Sequence, residues 1–383
     1  MRDLILGIES SCDDSCACLM SWYDGKIEYN CSIHQDEIHS QYGGIVPNLA
    51  SQEHLEHFKI LQEQLKQQDL MRIACVAITT GPGLIGSLLV GVSFAKGIAT
   101  ALGVPLLRIN HLEGHALSCM IENDVKFPFL LLLVSGGNSM IVLAKALGEY
   151  EIIGQTLDDA CGEALDKTAK NLGLDYPGGV NLEKYASKWY EYAKQSGSQD
   201  LSDVKNRFQF TNGCINGNTF NFSFSGLKTQ IAYKIRDLGG VEKLDDLTKA
   251  EIAYSAQEAI FETLVKKVKQ AVKKHSQVNK MVVGGEIKHL VVCGGVSANK
   301  RLSAMIFDVA KKYNLQLVVP SLKYTTDNAC MIAKAGAIRW NEWKNNNRQL
   351  GYSPIDLSFS PMAKWSIDEV ETIWKNIEKN KIK

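Results

Sequence analysis

Two stretches far apart in the chain read alike. Leu4-Ile-Leu-Gly-Ile8 is an apolar run, Glu9 to Ser15 a small polar turn, and Cys16 to Trp22 a second run; Phe129 to Val134, Ser135 to Ser139 and Met140 to Ala144 repeat that order. Short apolar runs bounded by small polar residues predict strand, turn, strand. Asp24-Gly25 then turns the first pair into a third strand over Lys26 to Ser32. Each pair opens about half of the chain and is followed by strand and helix patterns, so the sequence predicts an α/β fold built twice, as two lobes with a cleft between them. Two such turns facing each other across a cleft would grip the phosphates of a nucleotide from both sides.

The 383 residues, 45% of them hydrophobic, are enough for two separate cores. Forty-two basic and forty-two acidic residues cancel, so any nucleic-acid contact must come from a local patch or a partner rather than from overall charge. Ten cysteines, Cys12, Cys16, Cys18, Cys161, Cys293 and Cys330 among them, form no Cys-x-x-Cys pair and read as buried, reduced thiols. No unbroken apolar run approaches the about eighteen residues of a membrane span, and Met-Arg-Asp-Leu-Ile-Leu-Gly7 enters a strand at once. These features predict a soluble cytoplasmic protein, with an organellar matrix as the other compartment, and no membrane contact.

The chemistry concentrates in turns. Arg108-Ile-Asn-His-Leu-Glu-Gly-His-Ala116 sets two imidazoles four residues apart at the end of an apolar run. If the segment from His111 is helical, both rings lie on one face and reach one cation; spacing alone leaves a hydrogen-bonded helix start as an equal reading. A zinc-protease helix would read His-Glu-x-x-His. Here Glu113 lies two positions from each histidine and points roughly 200° away from His111, so it cannot serve as that general base. Thr79 to Ser87 is a glycine-rich turn from a strand into a helix, an anion site or a plain tight turn, without the lysine of a P-loop. Asp158, Asp159, Glu163 and Asp166 cluster with Lys167 at a helix start more densely than capping needs. Residues 196 to 225 read as a long ordered loop, and a helix from Thr248 to His275 carries Lys266, Lys267, Lys269, Lys273 and Lys274, a solvated face before it is an RNA contact. Lys280 to Lys288 looks like a surface insertion, Gly294 to Lys300 is another tight turn into a helix, Asp327 reads as an N-cap, and a helix near Ile367 to Ile377 ends a polar tail. The linear boundaries are 1–128, 129–345 with an inserted region at about 155–260, and a tail at 346–383.

Together these motifs carry a family resemblance. Gly7-Ile-Glu-Ser-Ser-Cys-Asp-Asp14, Gly43 to His54, Thr80-Gly-Pro-Gly-Leu84, His111-Leu-Glu-Gly-His115, Val134-Ser-Gly-Gly-Asn138, Asp158-Asp-Ala-Cys-Gly-Glu163, Ser223 to Thr229, Gly294 to Asn299 and Thr326-Asp-Asn328 closely resemble the bacterial and organellar TsaD type of tRNA threonylcarbamoyladenosine transferase, from residue 4 to about residue 340. The resemblance implies the duplicated fold of actin, Hsp70 and sugar kinases. It implies that His111, His115 and Asp327 ligate one Fe2+ or Zn2+, and that Val134, Ser135, Gly136, Gly137, Asn138, Asp166, Gly179, Glu183 and Asn299 line the substrate and nucleotide pocket. The implied reaction moves a threonylcarbamoyl group from threonylcarbamoyl-AMP to the exocyclic amine of the adenosine 3′ of the anticodon, position 37, in tRNAs reading codons that begin with A. No motif names the group that takes the amine's proton; Asp13, in the first turn, is the candidate.

The implied partners are tRNA, an upstream threonylcarbamoyl-AMP synthase, and either a TsaB-type paralogue with a TsaE-type ATPase or a second copy of the chain. Asn48 and Gln52 stand where the family has Glu and Arg, and Val180 where Pro is common, which puts tRNA or partner contacts rather than metal ligation in question. Two other classes compete: a phosphoryl-transferring or ATP-hydrolysing enzyme of the same fold, which needs no imidazole-bound metal, and a non-catalytic scaffold of a tRNA-modification complex, which would survive loss of His111, His115 and Asp327.

Overall fold

The structure, a computed structural model, describes residues 2–195, 207–211, 219–277, 285–347, 357–372 and 374. The chain divides into two compact units, Met1–Val125 with Leu147–Tyr150 and Pro320–Lys383, and Lys126–Ala146 with Glu151–Val319.

The first unit contains β1 (Leu4–Glu9), β2 (Ser15–Ser21), β3 (Ile27–Ile33), α1 (Asp36–Ser40), α2 (Pro47–Leu65), β4 (Ile73–Gly81), α3 (Ile85–Leu102), β5 (Leu106–Asn110) and α4 (His111–Ser118). Its sheet runs β3-β2-β1-β4-β5. The β1/β2 hairpin is antiparallel, with Leu6 opposite Leu19 and Gly7 opposite Cys18, whereas β1/β4 and β4/β5 are parallel. Every residue of β1 and β4 is buried, the pattern of strands covered on both faces. On one face Leu4, Leu6, Ile8, Val76 and Ile78 pack against Phe58 and Leu61 of α2 and Val92 and Ala95 of α3. Among the described helices α3 alone has the length and apolar composition of a membrane span, and it buries Val92, Ala95 and Ala99 in this core.

The second unit repeats the plan with β6 (Phe129–Val134), β7 (Ser139–Ala146), β8 (Glu149–Gln155), α5 (Cys161–Asn171), α6 (Gly178–Gln195), α7 (Ser225–Asp237), α8 (Asp246–Gln277), β9 (His289–Cys293), α9 (Lys300–Lys312) and β10 (Gln316–Val318). Its sheet order is β10-β9-β6-β7-β8. Again a hairpin, β6/β7, is antiparallel, and β6/β9 and β9/β10 are parallel. The duplication read from the two apolar-turn-apolar stretches is therefore present strand for strand.

The last helix, α10 (Ala329–Asn347), departs from the linear boundaries. Placed by sequence in the second lobe, it belongs to the first unit: Ala329, Cys330 and Ala333 pack against Cys16, Cys18 and Met20 on the second face of that unit's sheet. Small side chains on α10 allow that approach. The tail continues there too, with Met362 N donating to Thr80 O (2.8 Å) and Trp365 fully buried. Strand β8 and helix α7 were not anticipated. Parts of the long loop (196–206 and 212–218), of the insertion (278–284) and of the tail lie outside the described residues; where a helix was expected near Ile367, Ile367–Glu369 forms a single 3-10 turn before a short helical step. The nine described cysteines are free thiols, as expected.

Candidate active site

Strand β5 delivers its last residue, Asn110, in extended conformation as the N-cap of α4. Its side-chain oxygen accepts from Leu112 N (2.9 Å) and Glu113 N (3.1 Å), so the helix starts at His111 and the two imidazoles lie on one face, edge to face. Their ring centroids lie 4.7 Å apart at 84°. The third member arrives from the start of α10. There Asn328, not Asp327, caps the helix by accepting from Met331 N (3.0 Å), and Asp327 turns its carboxylate to the histidines. Oδ1 of Asp327 is 3.1 Å from His115 Nε2 and 3.6 Å from His111 Nε2.

Behind His111 stands a group that sequence reasoning passed over. Glu9 ends the apolar strand β1 fully buried, accepts from Ser11 N (2.6 Å) and Thr79 Oγ1, and lies 3.2 Å from His111 Nδ1. An ionised carboxylate only accepts, so His111 Nδ1 donates to Glu9 and Nε2 faces Asp327. A glutamate at a fully buried strand position requires a partner, but that burial shows only in the structure. Burial alone would lower the His111 pKa, but the charges of Glu9 and Asp327 and the Glu9 hydrogen bond raise it to about 9. Burial would likewise raise Asp327, yet the His111 charge and the His115 contact bring it down to about 2. Asp13, in the turn after β1, is pushed up by burial with the Asp327 charge adding to it. Asp14 is raised to about 7 by burial and by Asp327 and Asp13, against its 2.8 Å contact with His34 Nδ1.

These three side chains fit a metal ion. In a tetrahedral set with bonds of ~2 Å, neighbouring ligand atoms stand about 3.3 Å apart, and the two nitrogen-to-oxygen separations here bracket that value. Two imidazoles and one carboxylate suit Fe2+ or Zn2+ and leave coordination positions open. His115 is fully buried and its Nδ1 has no partner, so the ring is held only from the Asp327 side, where a cation would sit. The Glu9 carboxylate behind His111 completes the carboxylate-histidine pairing common at such centres. Glu113 points the other way, as its spacing predicted: it is fully buried and engages Arg339 (Nε 2.8 Å, Nη2 2.6 Å) and the Tyr150 hydroxyl (3.0 Å).

In the second unit most of the residues expected to line the substrate pocket take part in a set of hydrogen bonds between neighbouring elements. The turn from β6 to β7 closes with Ser135 N donating to Asn138 O (2.8 Å) and Asn138 N donating to Ser135 Oγ (3.1 Å), leaving Gly136 and Gly137 with open space above them. Val134, at the end of β6, is buried. Gly294 follows β9 at φ +90, where a Cβ would collide with the Val134 carbonyl. Ser135 O accepts from Gly162 N at the start of α5 (3.2 Å), Asp166 on α5 accepts from Gly179 N at the start of α6 (2.7 Å), and Glu183 on α6 accepts from Lys300 N at the start of α9 (2.9 Å). Asn299 caps α9 and donates to Gln257 Oε1 (3.0 Å). Three helix N-termini are thereby linked beside a glycine turn, an environment suited to anions. The carboxylate cluster resolves into separate partners: Asp158 holds the start of α7 through Phe224 N (2.8 Å) and Ser225 Oγ (2.7 Å), while Asp159 and Glu163 both pair with Lys167 (2.8 and 2.7 Å).

Comparison with known proteins gives the fold and the family. Among solved structures, the HypF protein of T. kodakarensis superposes with a TM-score of 0.56 at 15% identity, over 89% of this chain and 49% of that one. Full-length HypF in its phosphate- and nucleotide-bound form superposes with a TM-score of 0.52 at 12% identity, over 90% and 47%. Identities that low show the fold alone, the duplicated α/β fold shared by actin, Hsp70 and sugar kinases. The family described as TsaD: tRNA N6-adenosine threonylcarbamoyltransferase matches residues 26–334. The tRNA N6-adenosine threonylcarbamoyltransferase of Rickettsia massiliae (strain Mtu5) is 40% identical over 369 residues, 96% of this chain and 98% of the relative. The same enzyme of Buchnera aphidicola subsp. Baizongia pistaciae (strain Bp) is 41% identical over 354 residues, 91% and 96% of the two chains. Identity at this level, carried through both units and nearly the full length of each relative, means that the chain belongs to the TsaD family of tRNA N6-adenosine threonylcarbamoyltransferases.

Proposed function

We propose that this transferase takes threonylcarbamoyl-AMP as its donor and acylates N6 of the adenosine 3′ of the anticodon, in tRNAs reading codons that begin with A, with one Fe2+ or Zn2+ held by His111, His115 and Asp327. The observation that carries the metal assignment is the convergence of two imidazole nitrogens and one carboxylate oxygen in a buried corner backed by Glu9. When bound, such a cation supplies Lewis acidity toward the donor's oxygens.

The chain's own residues do the rest. Glu9 accepts the hydrogen bond that His111 Nδ1 donates and so fixes the ring, with Nε2 pointing at Asp327. In the second unit, backbone N–H groups of the Gly136-Gly137 turn, beside the N-termini of α5, α6 and α9, hold the nucleotide phosphate. The N6 amine attacks the carbamoyl carbon, the carbon-oxygen bond to phosphate breaks, and AMP departs as an anion stabilised by those donors. Asp13, a carboxylate made more basic by burial, accepts the proton released by the amine. A separate synthase supplies the adenylate, and the transferase works with a TsaB-type paralogue and a TsaE-type ATPase or as a pair of identical chains.

The test is to incubate the purified protein with unmodified tRNA and threonylcarbamoyl-AMP, with and without those partners, then digest the tRNA and measure threonylcarbamoyladenosine by mass spectrometry. Product is expected from the wild type and none from His111→Ala; equal product from both would remove the metal assignment. Wild-type activity confined to mixtures with partners would select the paralogue-containing assembly over the self-sufficient pair.

A further inference from the structure

The buried trio of Glu113, Arg339 and Tyr150 plays no part in the steps above, yet it joins the two elements that carry the metal ligands. Helix α4, eight residues long, bears His111 and His115; α10 carries Asp327 just before its first turn. Two of the contacts between these helices differ in kind. At Gly114 a Cβ would lie 2.8 Å from Ile332 Cδ1, so the contact there is close, apolar and without direction. At Glu113 the contact is directional: Arg339 donates through Nε (2.8 Å) and Nη2 (2.6 Å) to the two carboxylate oxygens, and the Tyr150 hydroxyl donates to one of them (3.0 Å). The Arg339 guanidinium also lies 4.7 Å from the Trp374 ring centroid.

An apolar contact lets one helix slide or roll against another at small cost, whereas a two-pronged guanidinium-carboxylate pair in a dry interior permits one register. Replacing such a buried pair by apolar side chains is often neutral for stability, so setting a register is its better-attested use. The register of α10 on α4 is also what sets Asp327 Oδ1 at 3.1 and 3.6 Å from the two imidazole nitrogens, and errors of a fraction of an ångström there change a coordination site.

We propose that Glu113, Arg339 and Tyr150 are positioning residues, a clamp that holds α10 against α4 in the one register where His111, His115 and Asp327 form a metal site. The proposal rests on the reading of that cluster as a metal centre. It explains why a glutamate that cannot reach the metal stands between the two histidines.

The test uses the full-length protein, stripped and titrated with Co2+ and with Zn2+ in competition, following the visible Co2+ spectrum alongside urea unfolding of the metal-free form. Arg339→Lys keeps the charge but loses the two-pronged geometry. The double variant Glu113→Gln with Arg339→Met removes both charges together, so neither is left buried and unpaired, as one would be in a single variant. Both variants are expected to fold, to bind either metal about 10–100-fold more weakly, and to show an altered Co2+ spectrum. Wild-type affinity and spectrum in either folded variant would overturn the clamp and leave the metal centre standing. A wild-type protein that takes up neither metal, like a His111→Ala control, would overturn the metal centre and the clamp with it.

Discussion

His111 is pulled between two carboxylates, and its behaviour with pH follows. In the metal-free protein it keeps its proton to about pH 9 against an ordinary 6.5, so the folded form holds that proton more tightly than the unfolded chain does. The resulting stability is complete below pH 6.5 and is lost as pH rises through about 9. Asp327 works in the opposite sense: lowered from 3.8 to about 2, it contributes above pH 3.8 and loses that contribution as pH falls through about 2. Urea midpoints of the stripped protein are therefore expected to fall between pH 6.5 and 9, while zinc affinity rises over the same interval because the cation displaces the His111 proton. Glu9→Gln should remove most of the pull on His111 and weaken zinc binding about 10–100-fold, measured by chelator competition. The histidine pair was legible in the sequence because its spacing survives translation into a helix. Glu9 was not, since a glutamate beside a polar turn looks solvated until the strand carrying it proves buried on both faces.

At the scale of elements, the two hairpins and the glycine turns were legible because apolar period and turn chemistry are local. Helix α7 and strand β8 were not. The start of α7 is organised by Asp158, 66 residues earlier in the chain at Phe224, and no local cap announces it. Of the four carboxylates near residue 160, Asp158 and Asp166 likewise find their partners on other elements, α7 and α6. The turn after β9 offers a direct test. Gly294→Ala puts a side chain at φ +90 and into the Val134 carbonyl, and should lower stability by more than ~1 kcal/mol, read from urea unfolding. An unchanged midpoint would mean that this turn has room the structure does not show.

For the whole molecule, the duplicated sheets were visible from two repeated patterns, but the return of α10 to the first unit was not, because no sequence signal tells a helix which of two similar sheets to cover. That return puts His111, His115 and Asp327, the three residues proposed to hold the metal, in one unit. Zinc at about 1,000 times its dissociation constant should accordingly add ~4 kcal/mol, and removing it with a chelator should lower the melting temperature. Hydrogen exchange is expected to report the loss mainly at α4, α10 and β1. The crossing of the chain also governs when these three side chains can first meet. Asp327 follows His115 by 212 residues, so a ribosome adding ~5–20 residues per second needs on the order of 10–40 s between making the first ligands and the last. Throughout that time the β1–β5 sheet lacks the helix that covers one of its faces and the histidines lack their carboxylate. A chain that stops short of Asp327 thus lacks one of the three residues proposed to hold the metal.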